Sequence, residues 1–469
     1  MSERSAGIIE SSTLYFLDVL LYPVGMYTKG YFKGKKITVM GLGLLGRGVG
    51  DAEFLAAEGA DLIVTDLKTK EQLADSVKRL EKFPNITFRL GGHNLSDFKD
   101  RDFILKAAGV PLDSKYIEEA KKHNVPIEMG ASLFCSLIPS KNTIGITGTR
   151  GKSTVTQFIF ETLEHMGKTV YLGGNVRGVS TLAMLPDIEE DDYIVMELDS
   201  WQLQGFGDRK ISPHVAVFTS IFKDHMNYYK DNMDAYIADK ANIFLNQKPD
   251  DIFVIGEQVE SEIQKRYPEH FERASSIGIS GNVSTWKLKL VGAHNLYNAS
   301  IAFDTLRLLG LKTEDIKEAF EEMNPVEGRL EFVREVERVR IYNDNNATTP
   351  DATIAGLKAL GSEKPVILIM GGADKGLDMR DLAEVLPGTT RKVIFTPGNG
   401  TDNFIATYDL TKNGVSFFRA ENIEDAVKEA MAIARNGDTI LFSPAFSSFS
   451  QFNNEYERSD ELKRVIDTL

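Results

Sequence analysis

Short apolar, β-branched runs alternate with longer amphipathic stretches along almost the whole chain. Residues 37–40, 61–65, 103–106 and 126–128 read as strands, with helices over 48–59 and 114–123 between them. Strands of that length separated by helical periodicity predict βαβ units and a doubly wound parallel sheet. The alternation resumes with a strand at 142–146 and a helix at 155–167. Strands at 193–198 and 215–220, a helix at 233–244 and another opening at Gly292 follow. A third stretch pairs 331–335 with 339–343 as β-strands. It continues with strands at 366–370, 392–396, 415–418 and 439–442, a helix at 423–436 and a closing helix. The expected fold is therefore α/β in three domains: an N-terminal Rossmann-like unit, a central P-loop ATPase-like sheet and a C-terminal Rossmann-like unit. The expected boundaries are an extension 1–35, then 36–139, 140–326 and 327–469.

A chain of 469 residues exceeds one ordinary core, which agrees with that division. The net charge of −14 argues against a nucleic-acid binder, which usually carries a basic face. It leaves anionic small substrates open, because a few local cations handle those. The single cysteine, Cys135, has Phe134, Ser136 and Leu137 as neighbours and reads as core packing. With no internal disulfide possible, a reducing cytoplasm is the expected location. Residues 14–27 are apolar but interrupted by Asp18 and Pro23, and too short to span a bilayer. With no basic leader or cleavage site before them, they read as an N-terminal helix docked on its own domain, without stable membrane insertion.

The chemistry centres on Gly145-Ile146-Thr147-Gly148-Thr149-Arg150-Gly151-Lys152-Ser153-Thr154, which follows a strand and enters a helix. Such a loop turns backbone N–H groups and a helix N-terminus toward phosphates. Lys152 would reach the terminal phosphates, and Ser153 or Thr154 a magnesium ion. The P-loop pattern asks for glycine where Ile146 stands, so the match is a variant. Glu197, ending a strand in the same unit, is placed to hold magnesium directly or through water. His225 follows another strand, and Lys240 lies fifteen residues beyond it on a helix, where a lysine is usually solvated. Asn295 and Asn298 share a helix face and would meet an adenine or ribose, or simply cap and pack. In the first unit Gly41-Leu42-Gly43-Leu44-Leu45-Gly46, with Asp66 twenty residues on, forms a dinucleotide-type glycine turn. On its own it suits NAD, FAD, a UDP-sugar or a bare structural turn.

Three α/β units with the triphosphate loop in the middle one resemble the Mur ligase family. The resemblance rests on the loop through Thr154, on Asp224-His225, His294-Asn295-Leu296-Tyr297-Asn298, Gly328-Arg329-Leu330-Glu331 and Asp344. The glycine turn, Tyr342 through Thr348 and the tail from Ser443 to Arg458 point to its glutamate-adding branch. It covers nearly the whole chain from Gly34 on. The resemblance implies amide-bond synthesis with ATP. A substrate carboxylate takes the γ-phosphate, the amine of an incoming amino acid attacks the acyl phosphate, and inorganic phosphate leaves. It implies an ATP site of Gly148, Thr149, Arg150, Gly151, Lys152, Ser153, Thr154, Asn295, Arg329 and Asp344. It also implies two magnesium sites, one on Ser153, Thr154 and Glu197, the other on His225 and a carbamylated Lys240. For the amino acid it points to Thr348, Lys375, Ser448 and Phe449. For UDP-N-acetylmuramoyl-L-alanine it points to Leu44, Leu45, Asp66, Leu67 and Asn175, so that the glycine turn takes uridine diphosphate rather than NAD. A monomer is expected, with glutamate and the UDP-sugar as small-molecule partners.

Four positions depart from the family pattern. Gly328 replaces a histidine, Asp199 a serine, Asn346 a lysine and Glu455 an aromatic residue. Asp199 is expected to add negative charge beside the metals. Asn346 and Glu455 remove positive or apolar character from the amino-acid site, which makes L-glutamate or another amino acid the close rival to D-glutamate. A folate-polyglutamate ligase lacks such a first domain. A nicotinamide oxidoreductase leaves Lys152 and His225 without work, and a silent nucleotide-binding protein would not need four cations.

Overall fold

The computed structural model describes residues 27–42, 46–139, 141–361 and 364–469. The expected N-terminal helix at 14–27 and the candidate site residues Leu44 and Leu45 lie outside the described residues, apart from Tyr27. Within them the chain forms three sheets. The first runs β3-β2-β1-β4-β5, with β1 Lys36–Met40, β2 Asp61–Asp66, β3 Ile86–Leu90, β4 Phe103–Lys106 and β5 Ile127–Glu128, all parallel. The second runs β11-β10-β9-β6-β8-β7. Its strands are β6 Thr143–Thr147, β7 Val170–Gly174, β8 Tyr193–Glu197, β9 Val215–Phe218, β10 Ile252–Gly256 and β11 Ala274–Ile277, also parallel. The third runs β12-β13-β17-β14-β15-β16, from β12 Glu331–Val336, β13 Val339–Asn343, β14 Val366–Gly371, β15 Thr390–Thr396, β16 Phe417–Arg419 and β17 Thr439–Phe442. Here β12 is antiparallel to β13 and the other pairings are parallel. Fully covered strands such as β6 and β9 are buried at every position, as a sheet with helices on both faces requires.

Strand order fixes where ligands can go. In the first sheet β1 lies between β2 and β4, and in the second β6 lies between β9 and β8. The connections leave in opposite directions at these strands, opening a crevice beyond their C-terminal ends. The glycine turn follows β1, and the phosphate loop follows β6.

Several expected boundaries shift, two of them for a readable reason. The helix after the phosphate loop runs Lys152–His165 rather than 155–167. Gly151 at φ 84° makes a left-handed turn that lets the helix begin at once, and so brings Lys152, Ser153 and Thr154 into its first turn. The strand expected at 415–418 is β16, displaced toward Arg419 and short because it forms the sheet edge.

The cores are not equally shared. One buried apolar cluster is continuous from the first sheet (Ile37, Leu62) through Phe134 and Leu137 to Leu203 and Phe206 of the central domain. The third domain has its own clusters, around Leu368 and Phe395 on one face and Ile369 and Val465 on the other. Half-buried Cys135 packs against the shared cluster with its Sγ 3.6 Å from Met196 Sδ, and burial pushes its thiol pKa far up. That matches the core role expected of it.

Candidate active site

The phosphate loop is held in shape from behind by the two residues after β9. Ser220 O accepts from the Thr149 N–H at 2.8 Å, Ser220 Oγ from the Arg150 N–H at 2.8 Å, and Thr219 Oγ1 donates to Arg150 O at 2.5 Å. These contacts leave no room for side chains at the glycines. A Cβ on Gly148 (φ 148°) would lie 2.0 Å from Thr219 Oγ1, and one on Gly151 would lie 2.4 Å from Asn298 Oδ1. Asn298 therefore packs behind the loop. Asn295, one turn earlier on the helix Ala293–Leu308, is buried and donates to Val291 O at 2.9 Å.

Four cations converge on this loop. Lys152 Nζ donates to the carbonyls of Gly148 (3.1 Å) and Thr149 (3.3 Å). Lys240 is buried on the helix Met233–Ala241, and its Nζ donates to the same Gly148 carbonyl at 2.8 Å and to Thr147 Oγ1 at 3.4 Å. Burial, and then the charge of Lys152, hold the Lys240 amine well below the ordinary lysine range. Burial also lowers Lys152, with Arg329 and Arg150 adding to the effect and Glu197 opposing it. Arg150 donates to Asp224 Oδ2 at 3.0 Å and to Thr349 Oγ1 at 2.8 Å. Arg329 of the third domain donates to Ser153 Oγ at 2.9 Å, while its buried Nε has no partner among the described residues.

The acids stand opposite. Glu197 ends β8 in register with Ile146 and is buried. Burial works to raise the Asp224 pKa, but Arg150, His225 and Lys375 outweigh it and hold the carboxyl far below its usual range. His225 sits at φ 55°, with Nε2 4.0 Å from Asp224 Oδ2 and its ring 4.6 Å from that of Trp201. Burial lowers its pKa, which favours the neutral imidazole a metal ligand needs. Asp199 caps the helix Ser200–Arg209, and its negative charge also acts on His225 and Lys240, the pair expected at the second metal. Its Oδ1 accepts from the Gln202 N–H at 2.7 Å in a capping box.

These residues fit a magnesium triphosphate. Among the described residues no group of three His, Cys, Asp or Glu gathers into a metal cage. Magnesium keeps waters and phosphate oxygens and takes only one or two protein carboxylates, so a single carboxylate such as Glu197 is compatible with it. The orphaned Arg329 Nε and two depressed lysines sharing one carbonyl are the environment that polyanionic oxygens relieve.

The third domain brings a second group together. Lys375 Nζ donates to Thr348 Oγ1 at 3.0 Å, and burial lowers its pKa against the opposing charge of Asp224. Ser448 is buried and lines a small cleft with Gly372, Ser447, Phe452 and Arg458, whereas Phe449 is exposed. Buried Arg458 donates to Asn345 Oδ1 at 2.7 Å and to Asn345 O at 2.9 Å. Asn346 donates to Glu327 O at 3.1 Å. Glu455 opens the helix Glu455–Asp467, and its charge acts on both Lys375 and Arg458. Asp344 faces into its own domain. Its Oδ1 accepts from the Leu330 N–H at 3.1 Å and its Oδ2 from Ser443 Oγ at 2.8 Å.

In the first domain Asp66 braces the glycine turn rather than projecting freely. Its oxygens accept from the N–H groups of Leu42 and Lys68, both at 2.9 Å. Leu67 beside it is exposed. Asn175, after β7, donates toward Glu197 Oε1 at 3.4 Å and accepts from Arg47 Nη1 at 2.5 Å. Several participants carry no motif in the sequence. Thr349 and Tyr236, whose hydroxyl lies 3.1 Å from Thr149 Oγ1, belong here. Outside the site, the Lys106 ammonium gathers the carbonyls of Ala107, Ala108 and Val110, and burial lowers its pKa to about 8. Only a lysine closing an apolar strand hinted at the last.

The sequence matches the MurD-like N-terminal domain of Mur ligases over residues 35–129, the Mur ligase middle domain over 146–287 and the Mur ligase glutamate ligase domain over 328–446. A UDP-N-acetylmuramoylalanine–D-glutamate ligase of Roseiflexus sp. (strain RS-1) is 33% identical over 467 residues, covering 93% of this chain and 99% of that one. A protein of the same name from Borreliella burgdorferi (strain ZS7) is 34% identical over 459 residues, covering 93% and 98%. Among solved structures, a UDP-N-acetylmuramate-alanine ligase of Thermotoga maritima superposes with a TM-score of 0.60 at 20% identity, over 92% of this chain and 99% of the other. The MurF ligase of the same organism in complex with ADP gives 0.55 at 15%, over 96% and 98%. At those identities the likeness is one of fold. The full-length relatives, agreeing with the order of the three sheets and the cationic loop in the middle one, show that this chain belongs to the Mur ligase family.

Proposed function

We propose that this chain is an ATP-dependent ligase that joins D-glutamate to UDP-N-acetylmuramoyl-L-alanine in peptidoglycan precursor synthesis. The observation that carries the reading is the set of four cations, Lys152, Lys240, Arg150 and Arg329, at a loop shaped for phosphates. A carboxylate and ATP repel each other, so fixed positive charge must hold the attacking oxygen in line with the γ-phosphorus. In this reading Lys152 binds the β- and γ-phosphates and Arg329 closes over them from the third domain. Asn175 and His225 flank the substrate carboxylate. Magnesium, when bound, neutralises phosphate charge and polarises the phosphoryl oxygens. Ser153, Thr154 and Glu197 would hold one ion. His225 and Lys240 would hold a second, once the neutral amine that burial favours has bonded to the carbon of carbon dioxide and released a proton to solvent, which leaves an anionic carbamate oxygen as ligand. Thr348, Lys375 and Ser448 bind the glutamate carboxylates and aim its amine at the acyl carbon. Closure of the third domain excludes water from the acyl phosphate. We place the reaction in the cytoplasm, with a single chain as the active unit. The single cysteine, half-buried and without a disulfide partner in the sequence, supports that location. No described helix is long and apolar enough to cross a membrane.

The test is phosphate release with UDP-N-acetylmuramoyl-L-alanine and, separately, D- and L-glutamate. Turnover with D-glutamate, and transfer of a labelled carboxyl oxygen into the released phosphate, are expected. Phosphate released without the sugar nucleotide would reduce the chain to an ATPase. Preference for L-glutamate would trace to Glu455 and Asn346.

A further inference from the structure

We infer that Arg177 is a positioning residue for the amino-acid step: by clasping Tyr456 and Asp460 of the third domain, it seats the amino-acid pocket against the loop that carries Asn175. The inference rests on the reading above and adds to it a residue that no motif marks.

Residues 175–180 form a loop that touches all three domains. It leaves β7 at Gly174, where a φ of 83° and a Cβ position only 2.1 Å from Glu197 O admit nothing but glycine. The Gly174 N–H donates to Thr181 Oγ1 at 2.9 Å and so pins the two ends of the loop together. Toward the central domain, the Asn175 N–H donates to Glu197 O at 2.7 Å. Toward the first, Ser180 Oγ donates to Asp51 Oδ1 at 2.6 Å, and a Cβ on Gly50 would lie 2.6 Å from Ser180 Cβ. With both ends anchored, the loop presents Arg177 to the third domain.

There Tyr456 and Asp460 stand one turn apart on the helix Glu455–Asp467, and therefore on one face. The Arg177 guanidinium carbon lies 4.6 Å from the centre of the Tyr456 ring, and Nη2 donates to Asp460 Oδ2 at 3.2 Å. A planar guanidinium can stack on a ring and donate from its edge at once, which a lysine cannot. Among the described residues no other ion pair joins the central domain to this helix.

What the clasp holds is the reacting side of the third domain. Glu455, beside Tyr456, acts on the charges of Lys375 and Arg458. Burial raises the Tyr456 phenol, with Glu455 and then Glu197 of the central domain adding to the effect. The third domain holds the incoming amine and the other two hold the acyl carbon, so the docking of this helix sets their separation. A misplacement of about 1 Å can cost roughly a hundredfold in rate. Arg329 and Arg150 tie the domains at the phosphate loop instead. Arg177 is the corresponding tie on the amino-acid side.

The test is steady-state kinetics on the full chain, with Arg177→Ala, Tyr456→Ala, Tyr456→Phe and the double alanine variant. Two quantities are read: the KM for each substrate, and the ratio of phosphate released to amide formed. An exposed ion pair and a ring stack together set the scale, so Arg177→Ala should raise the KM for glutamate about five- to tenfold. The KM for ATP should stay within about twofold, because Arg329 and Arg150 are intact. The phosphate-to-amide ratio should climb above the one-to-one of coupled turnover. Water then attacks the acyl carbon in place of the amine, the bond to phosphate breaks, and the carboxylic acid and inorganic phosphate are returned. Tyr456→Phe keeps the ring and should match wild type. Tyr456→Ala should reproduce Arg177→Ala, and the double variant should be no worse than either. A folded Arg177→Ala variant with unchanged glutamate KM and unchanged ratio overturns the inference. So does a parallel rise in the KM values for ATP and glutamate, which marks a general loosening, or full additivity of the two alanine changes. A wild-type chain that releases phosphate but forms no amide would sink the ligase reading itself, and the inference with it.

Discussion

Asp344 is a buried acid whose ionisation opposes folding, and replacing it by asparagine should stabilise the chain in a pH-dependent way. Its carboxyl is 7% exposed, and burial raises its pKa to about 7 against the hydrogen bonds from Ser443 and Leu330 and the charge of Arg329. In an unfolded chain an aspartate releases its proton near pH 3.9. Between about 4 and 7 the folded form therefore binds more protons than the unfolded one, and stability falls as pH rises through that window. Above about 7 the loss is complete and amounts to about 4 kcal/mol as an upper bound. An asparagine keeps the geometry. Its oxygen can accept from the Leu330 N–H, and its amide can donate to Ser443 Oγ, which then donates to Thr353 Oγ1, 3.0 Å away. The assay is thermal unfolding of Asp344→Asn and wild type without ligands at pH 5 and pH 8.5. The advantage of the variant should grow by about 2 to 3 kcal/mol between the two, several degrees in the melting of the third domain. Histidines that titrate in this range are common to both chains and cancel. A gap that is the same at both pH values, or larger at pH 5, would refute the reasoning.

Further outcomes follow from the site. Lys152→Ala should lose at least about a thousandfold in kcat while remaining folded, because the γ-phosphate loses its positioned cation; this is checked by phosphate release and circular dichroism. Lys240→Ala should be inactive and partly rescued by short-chain carboxylic acids, which can supply the anionic oxygen, and an unaffected variant would remove the carbamate from the mechanism. Arg329→Lys should raise the KM for ATP roughly tenfold with kcat less affected, since a lysine cannot reproduce the fork. Cys135 should resist alkylation in the native chain and react once it is unfolded, because burial keeps it a thiol.

The fold class was readable because parallel strands are buried on both faces and appear as short continuous apolar runs. β9 and β14 are such runs. Strands at sheet edges were harder to see. β16 and β11 are half-buried, and neither run is continuously apolar. The phosphate loop was legible for a local reason, since its glycines answer to clashes a few ångströms away. Lys240 shows the limit of such reading. Spacing along a helix says nothing of a lysine folded back onto a carbonyl ninety-two positions earlier in the chain. Asp199 shows the converse. An acid beside a metal motif suggested charge near His225 and Lys240, which it supplies, but gave no sign of the helix cap it also forms. Arg47 was hidden because its partner, Asn175, lies in another domain.

Two of the arginines that join the central and third domains point in opposite directions: Arg329 reaches inward to Ser153, and Arg150 reaches outward to Thr349. Such crossed bolts cannot be drawn one at a time by a small swing, because either one left in place still ties the halves together. The gate they form should thus behave as a latch with two positions rather than a door that stands ajar. Since the third domain keeps separate apolar cores, releasing it exposes little greasy surface, and the rhythm of the enzyme would be set by polar contacts that salt and nucleotide can both tune.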